Sequence, residues 1–240
     1  MSSIHPVFQL RVIKDSRLFS KPIRKILSFY RKNIACLEDE IKSGLDMGTL
    51  LEFIHDTRNL EGDILELGTF RGGTSVIFAK FLQQIDSKKM VYCCDTFSGF
   101  PYNDSYSDTT TMNAHNSHFI KTSYNRVLQK FEKFGVSDKI MIVKGKFEDT
   151  LYNQLGDKRF SFVFSDSDLY DSTKFSLEFT YPRLVKCGII AFHNYERRGP
   201  KIWGETRAVD EFCKTNKIKL ETLKPVVYIK RITGQNTFAN

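Results

Sequence analysis

Polar side chains follow two apolar runs of the sequence, at the points where predicted strands end. The run "FSFVFSD" ends in Asp166 and leads to Asp168, and the run "GIIAFHN" ends in His193 and Asn194. Carboxylates and imidazoles accept protons, and both also bind divalent cations. Asp166 and Asp168 are two residues apart, so they point to the same side of an extended chain. The pattern predicts a centre that moves a proton or holds a metal ion.

An earlier predicted strand is followed by a glycine-rich turn. The stretch "ELGTFRGGTS" contains Gly68, Gly72 and Gly73. This spacing is neither the G-x-G-x-x-G fingerprint of dinucleotide enzymes nor a phosphate-binding P-loop. Glycines at such a turn let the backbone approach a ligand closely, although a tight turn without a ligand explains them equally well.

An acid at the end of the next predicted strand favours the ligand interpretation. Asp95 lies 27 residues after Gly68, where a carboxylate accepts hydrogen bonds from both hydroxyls of a ribose. A glycine turn with a ribose-binding acid predicts a nucleoside ligand, and without a phosphate cradle that nucleoside need carry no diphosphate. S-adenosylmethionine fits this description.

Predicted strands and helices alternate along most of the chain. The strands fall at residues 63–69, 90–97, 139–145, 160–166 and 188–194, and the helices near 38–59, 74–86, 117–134, 147–155, 172–186 and 203–215. Such alternation predicts βαβ units and a parallel sheet. The tail "KLETLKPVVYIKRI" predicts two further strands with Pro225 in the turn between them. Ligands of open parallel sheets bind outside the carboxyl ends of the strands, where the polar groups above are placed.

Composition and charge limit the class of protein. The chain has 240 residues, of which 41% are hydrophobic, and no run is long enough for a membrane helix. The N-terminus lacks the apolar segment of a signal peptide, and the five cysteines are odd in number and lack metal-site spacing. We expect a soluble, cytoplasmic protein with free thiols.

The positive charge is concentrated at the N-terminus. Residues 1–35 contain eight basic side chains and one acid, whereas the remaining chain has 28 basic and 27 acidic side chains. We predict a basic arm over residues 1–37 and one catalytic domain over residues 38–240. The arm also contains apolar residues at helical spacing, so it either docks on the body or a second subunit of a homo-oligomer, or contacts an anionic membrane surface. Because the body is nearly neutral, no nucleic-acid partner is expected.

Five stretches resemble the macrocin O-methyltransferase family, whose members methylate sugar hydroxyls on macrolide and aminocoumarin antibiotics. They are "GDILELGTFRGGTS", "DTFSGFP", "KFGVSDKIMIVKGKFEDTL", "DSDLYDST" with "YPRL" after it, and "ETRAVDEF". The resemblance implies the α/β fold of class I methyltransferases: a Rossmann-like, doubly wound seven-stranded sheet with a C-terminal antiparallel hairpin.

The resemblance also implies which residues bind S-adenosylmethionine and its product S-adenosylhomocysteine. They are Glu66, Gly68, Thr69, Phe70, Arg71, Gly72, Gly73, Thr74, Ser75, Asp95, Thr96, Phe97, Gly145, Phe147, Glu148 and Asp166. The loop after the first strand would hold the methionine part, Asp95 the ribose, and Gly145 with its neighbours the adenine. For Phe147, packing in the core is the alternative.

The resemblance also implies roles for the two acids of the motif D-x-D, which here are Asp166 and Asp168. In that family the first acid is a metal ligand and the second is a proposed base. Family members usually end the fifth strand in two aspartates that bind magnesium, but this chain has His193 and Asn194. Asp166, His193 and Asn194 are therefore the candidate metal ligands. Imidazole prefers manganese, iron or zinc to magnesium, so one interpretation is a metal of different preference. The others are a metal-free centre in which His193 is the base, or a decayed centre that only binds the cofactor.

The sequence thus predicts an S-adenosylmethionine-dependent O-methyltransferase. The expected acceptor is a hydroxyl of a sugar, a sugar-containing small molecule or a glycan, in natural-product or polysaccharide biosynthesis. The alternatives are methylation of another small polar acceptor, and a non-catalytic nucleoside-binding or scaffold protein.

Overall fold

A computed structural model describes residues 19–37, 44–100, 122–195, 204–223 and 225–232. Its strands are β1 (Asp63–Leu67), β2 (Val91–Asp95), β3 (Ile140–Lys144), β4 (Phe160–Ser165), β5 (Leu184–Phe192), β6 (Leu220–Leu223) and β7 (Val226–Lys230). They form one seven-stranded sheet in the order β3-β2-β1-β4-β5-β7-β6. The first five strands are parallel, and β7 runs antiparallel to both β5 and β6. The predicted α/β fold with its closing antiparallel hairpin is confirmed.

Helices cover both faces of the sheet. They are α1 (Lys21–Leu37), α2 (Gly44–Asp56), α3 (Gly73–Gln84), α4 (Tyr124–Lys133), α5 (Phe147–Leu155), α6 (Tyr170–Arg183) and α7 (Gly204–Thr215), with a short 3-10 helix at Ser137–Lys139. Residues of α1 to α4 form a core with one face of the sheet, and residues of α5 to α7 form a second core with the other face. Successive strand residues alternate between the two cores: Cys93 belongs to the first and Cys94 to the second. Burial on both faces explains why the parallel strands are continuous apolar runs.

Helix α1 is a structural part of the body. Ile23, Ile26, Leu27 and Tyr30 are buried, and their spacing defines one apolar face of a helix. The amide of Gln84 at the end of α3 donates to the backbone oxygen of Pro22 at 2.8 Å. This half of the predicted arm therefore docks on the body. Residues 1–18 lie outside the described part of the chain, and the division at residue 37 stays a prediction.

One predicted boundary is wrong. The helix expected over residues 172–186 ends at Arg183, directly after Pro182, and β5 begins at Leu184. The first part of β5 is irregular because Cys187 has a left-handed backbone (φ 64°) and the register to β4 shifts nearby. Lys186 and Cys187 are exposed, so the early part of this strand lacks the apolar run on which the prediction depends.

All five cysteines are free thiols, and three of them are buried. None of the helices in the described part of the chain has the length and hydrophobicity of a membrane span.

Candidate active site

The register of the sheet brings the predicted site residues to one edge. Leu67 at the end of β1 is level with Cys94 on β2 and with Ser165 on β4, and Ser165 is level with Phe192 on β5. The next residue on each strand is a predicted site residue: Gly68, Asp95, Asp166 and His193. Backbone hydrogen bonds continue across this level, from Gly68 N to Cys94 O at 2.9 Å and from His193 N to Ser165 O at 2.9 Å. Four neighbouring strands therefore present predicted site residues side by side.

The donor loop, which we define as residues 68–75, depends on glycine where it leaves β1. Gly68 has a left-handed backbone (φ 88°), and a Cβ atom there would lie 2.0 Å from the backbone oxygen of Asp166. No side chain fits at that distance. Gly72 caps α3 with φ 75°, and a Cβ atom there would lie 2.8 Å from the ring of Phe131. The glycine pattern thus has a packing cause in addition to any role toward a ligand.

Asp95 ties the donor loop to the end of β2. Its carboxylate accepts hydrogen bonds from the backbone N–H of Phe70 at 2.8 Å and of Phe97 at 2.7 Å. Both phenylalanines have left-handed backbones, with φ of 48° and 54°, a conformation that persists only where the surroundings enforce it. Burial raises the pKa of Asp95, and these backbone donors, together with that of Thr69, oppose the rise. These three donors occupy three of the carboxylate's roughly four acceptor positions, which leaves room for a further donor such as a ribose hydroxyl.

The acid that precedes the loop lies beneath it. Glu66 is 1% exposed and accepts a hydrogen bond from the Ser75 hydroxyl, which itself accepts one from the Cys93 thiol at 3.1 Å. Glu66 therefore anchors the start of α3 to β1, and its direct contact with a cofactor stays a prediction.

One hydroxyl in the donor loop lacks a partner. Thr69 is 4% exposed, and its Oγ1 atom makes no hydrogen bond among the described residues. An unpaired buried hydroxyl costs free energy unless a ligand supplies the missing bond. The donor loop thus fits S-adenosylmethionine, because it combines a left-handed glycine turn, a ribose-type acid and an unpaired polar atom.

The residues expected around adenine do not all lie in the same surroundings. Gly145 follows β3, has φ 143°, and donates its N–H to the backbone oxygen of Asp95 at 3.0 Å. Thr96 donates its hydroxyl to the backbone oxygen of Gly99 at 2.6 Å. Phe147 packs in the second core, whereas Glu148 is exposed on the first turn of α5. Gly145 thus lies beside Asp95, whereas the core alternative for Phe147 fits its surroundings.

The carboxylate cluster, which we define as Asp166, Asp168, His193 and Asn194, is held by hydrogen bonds between side chains. His193 Nδ1 lies 2.7 Å from Asp166 Oδ1. The amide nitrogen of Asn194 donates to Asp166 Oδ1 at 3.0 Å and to Asp168 Oδ1 at 2.6 Å. Asp168 has a left-handed backbone (φ 58°), a strained state of the kind that marks functional sites. The structure thus brings together all four residues that the sequence singled out for catalysis or metal binding.

The surroundings of His193 change the role predicted for it. Burial lowers the pKa of the imidazole, but the nearby Asp166, Glu205 and Asp168 outweigh burial and raise the pKa to about 10. The ring is therefore protonated at neutral pH and donates hydrogen bonds. A base must be unprotonated, so the interpretation of His193 as a base that becomes active near pH 6.5 does not fit these surroundings.

Glu205 is the residue that the sequence analysis missed. It is the second residue of α7 and is fully buried. Its carboxylate accepts hydrogen bonds from the Ser165 hydroxyl at 2.8 Å and from the Asn194 backbone N–H at 2.6 Å. Burial, followed by repulsion from Asp166, raises the pKa of Glu205 to about 8. Glu205 thus joins the ends of β4 and β5 beneath the carboxylate cluster.

A signal for Glu205 was present in the sequence. The buried residues of α7 include Glu205, Ala208, Val209, Phe212 and Cys213, which is the spacing of one helix face. An acid that continues an apolar face toward the start of a helix is a candidate buried group.

The carboxylate cluster does not fit a divalent cation as it is arranged. His193 Nδ1 and Asn194 Nδ2 both face carboxylate oxygens, and a carboxylate only accepts, so hydrogens occupy the space between these groups. Within the described ranges, no group of three or more His, Cys, Asp and Glu side chains is placed to hold a metal ion.

Comparison with known proteins agrees with this geometry. Residues 47–229 match the model of the family described as macrocin-O-methyltransferase (TylF). One relative is the 8-demethyl-8-(2,3-dimethoxy-alpha-L-rhamnosyl)-tetracenomycin-C 4'-O-methyltransferase of Streptomyces olivaceus, 31% identical over 139 residues, which cover 56% of this chain and 53% of that protein. Another is the mycinamicin III 3''-O-methyltransferase of Micromonospora griseorubida, 30% identical over 141 residues, which cover 56% of this chain and 55% of that protein. The chain thus matches just over half the length of these relatives.

Solved structures show the same fold. The O-methyltransferase NovP superposes with a TM-score of 0.66 at 24% identity, covering 80% of this chain and 81% of that one. The calicheamicin methyltransferase CalS11 gives a TM-score of 0.62 at 20% identity, covering 95% and 93% of the two chains. The family match spans most of the chain and includes the donor loop, Asp95, the carboxylate cluster and Glu205. The chain therefore belongs to the macrocin-O-methyltransferase family.

Proposed function

We propose that the protein is an S-adenosylmethionine-dependent O-methyltransferase that acts on a hydroxyl of a sugar or a sugar-containing compound. The observation that carries the proposal is one sheet edge that holds a nucleoside-type loop and a pair of carboxylates side by side. Relatives named for methylating sugar-bearing antibiotics support the choice of acceptor.

On the cofactor side, Asp95 would hold the ribose hydroxyls and the donor loop the methionine part. The unpaired Thr69 hydroxyl would gain a partner there, and the turn at Gly145 would border the adenine. When bound, the cofactor supplies a methyl group on a sulfonium sulfur, whose C–S bond breaks as the acceptor oxygen forms the new C–O bond.

On the acceptor side, a carboxylate would take the hydroxyl proton. A sugar hydroxyl is a poor nucleophile at neutral pH and must lose this proton as the C–O bond forms. We assign the proton to Asp168, because its strained backbone and its hydrogen bond from Asn194 fix its carboxylate. Asp166 is paired with the protonated His193, so it would position the cluster and balance its charge.

The experiment is methyl transfer from labelled S-adenosylmethionine to a panel of acceptors. The panel contains nucleotide sugars, glycosylated small molecules, glycans and non-sugar phenols. We expect label in a sugar-containing compound, and much less label at the same cofactor concentration when Asp95→Ala replaces the wild type. Transfer to phenols alone would favour the alternative of another small acceptor. Cofactor binding without transfer to any member would favour the non-catalytic alternative.

A second proposal concerns the exposed face of α1. Lys21, Arg24, Lys25, Arg31 and Lys32 are exposed, and the helix contains no acid. We propose that this face contacts an anionic membrane surface. Co-sedimentation with anionic vesicles should fall with added salt and in a Lys25→Glu/Arg31→Glu variant, whereas equal binding to neutral vesicles would contradict the proposal.

Homo-oligomerisation stays a prediction for light scattering to test. The free buried thiols support our placement of the reaction in the cytoplasm.

A further inference from the structure

Two carboxylates that lie close together repel each other, and something must balance that repulsion in the carboxylate cluster. Asp166 and Asp168 share a donor, the side-chain amide of Asn194, at 3.0 Å and 2.6 Å. Asp166 has a second donor in His193 at 2.7 Å. The partial positive charge of the Asn194 amide therefore lies between the two acids, and that of the His193 ring lies beside Asp166.

Neighbouring groups fix both donors in place. The ring of His193 lies against Phe164, with centroids 6.0 Å apart. The backbone of Asn194 is held by the buried carboxylate of Glu205, at 2.6 Å. Phe164 and Glu205 thus help to position the two residues that carry the donors.

A divalent cation needs the opposite arrangement. It binds lone pairs: carboxylate oxygens, an amide oxygen, and an imidazole nitrogen that carries no hydrogen. For a cation held between the acids, His193 Nδ1 would have to lose its hydrogen and its bond to Asp166, because the other ring nitrogen, Nε2, points away from Asp166 while that bond is kept. Asn194 would have to turn its amide oxygen toward two carboxylates. Each change removes a hydrogen bond that now offsets the repulsion between the acids.

We propose that the N–H groups of His193 and Asn194 take the place of a divalent cation in this chain, so that the centre works without a metal. The proposal rests on the proposed function for the identity of the reaction, and it assigns His193 and Asn194 as positioning residues. The donors hold the carboxylates of Asp166 and Asp168 in place, with Asp168 as the one assigned to the acceptor hydroxyl.

The test is metal binding by the 240-residue chain, measured without any acceptor. Protein cleared of metal with EDTA is titrated with Mn²⁺ and Mg²⁺ by calorimetry, as wild type and as a His193→Asp/Asn194→Asp variant. We expect no saturable binding by the wild type at micromolar metal, and at least ~10-fold tighter Mn²⁺ binding by the double variant, because carboxylates replace the donors. An Asn153→Asp variant, in which the new acid is exposed on α5, controls for added charge and should bind like the wild type.

Micromolar metal binding by the wild type that is lost in Asp166→Asn would overturn the proposal, whether or not the double variant folds. Once an acceptor is known, loss of methyl transfer in EDTA and its return with added metal would also overturn it. Binding of S-adenosylhomocysteine in EDTA, measured on the same samples, separates the two proposals. If S-adenosylhomocysteine does not bind, the proposed function fails, and the metal titration still decides whether His193 and Asn194 replace a cation.

Discussion

The donor loop and the carboxylate cluster lie at the same edge of the sheet but are held by different kinds of bond. Around Asp95 the donors are backbone N–H groups, of Phe70 and Phe97, and the loop conformation depends on glycine. In the carboxylate cluster the donors are side chains, of His193 and Asn194. A site built from backbone groups changes only when the chain conformation changes. A site built from side chains is altered by single substitutions while the fold is kept.

The difference fits the pattern that the resemblance implied. The donor loop has the implied glycines and acid, whereas the fifth strand ends in His193 and Asn194 where the resemblance implied two aspartates. The two regions meet where Gly68 packs against the backbone of Asp166, so each can be perturbed separately or both together.

The largest expected effect belongs to the carboxylate cluster alone. Asp168→Ala should lower the turnover number by about 10²–10⁴-fold, because the acceptor hydroxyl loses its base, while the dissociation constant of S-adenosylhomocysteine changes little. Steady-state kinetics and calorimetry on one preparation give both values. The matched control is Asp157→Ala, whose side chain is 78% exposed and whose turnover should equal that of the wild type. Comparable turnover in Asp168→Ala and Asp157→Ala would remove Asp168 from the mechanism.

The next largest effect is expected from a variant that perturbs both regions together. Gly68→Ala places a methyl group against the backbone of Asp166 at a positive φ and should reduce the free energy of unfolding by about 2–4 kcal/mol. Gly135→Ala is the control, since Gly135 also has a positive φ (60°) but no atom lies within 4 Å of its added methyl group. That variant should lose only about 1 kcal/mol. Urea denaturation measures both values, and equal losses would mean that the contact between the two regions does not matter.

A smaller effect tests the support beneath the carboxylate cluster. At pH 9, above the raised pKa of Glu205, Glu205→Gln keeps the shape of the side chain but turns one acceptor into a donor that faces Ser165 or Asn194. We expect a loss of about 1–3 kcal/mol in unfolding free energy, and a turnover number that falls more than cofactor affinity does. Glu211→Gln is the control on the same helix, since Glu211 is half exposed. If Glu205→Gln lowered cofactor affinity and turnover equally, Glu205 would support the whole sheet edge and not the cluster.

The smallest effect is a pH dependence of stability. A pKa of His193 raised from 6.5 to about 10 stabilises the folded state fully below pH 6.5, and this contribution disappears as pH rises through 10. Glu205, with its pKa raised to about 8, lowers stability with rising pH in a lower window, between 4.5 and 8. Between pH 8 and 10.5 the wild type should therefore lose about 1–2 kcal/mol more than His193→Gln. Parallel pH curves for the two proteins would show that His193 is not charged in the folded state.

Sequence reasoning predicted the parts of the site that depend on order along the chain. Apolar runs gave the five parallel strands, and the parallel register then placed Gly68, Asp95, Asp166 and His193 at one level. Hydrophobic periodicity also predicted α1, because Ile23 and its neighbours repeat at helical spacing. These features follow from local preferences and from the geometry of a parallel sheet.

Other features depend on contacts between distant residues and could not be predicted from order alone. The charge state of His193 depends on three acids that approach it only in the fold. Glu205 was not among the predicted site residues, because it meets Ser165 and Asn194, 40 and 11 residues away, only in the fold. The early start of β5 was missed because Lys186 and Cys187, its third and fourth residues, are exposed and interrupt the apolar run.

The central claim is that the edge formed by the donor loop and Asp95 binds the nucleoside of a methyl donor. Calorimetric titration of the wild type with S-adenosylhomocysteine in EDTA tests it most directly. We predict saturable binding in the micromolar range, weakened by about 1.5–3 kcal/mol in Asp95→Ala, the scale of lost charge-assisted hydrogen bonds. Absence of binding at millimolar ligand, by folded wild-type protein, would contradict the claim.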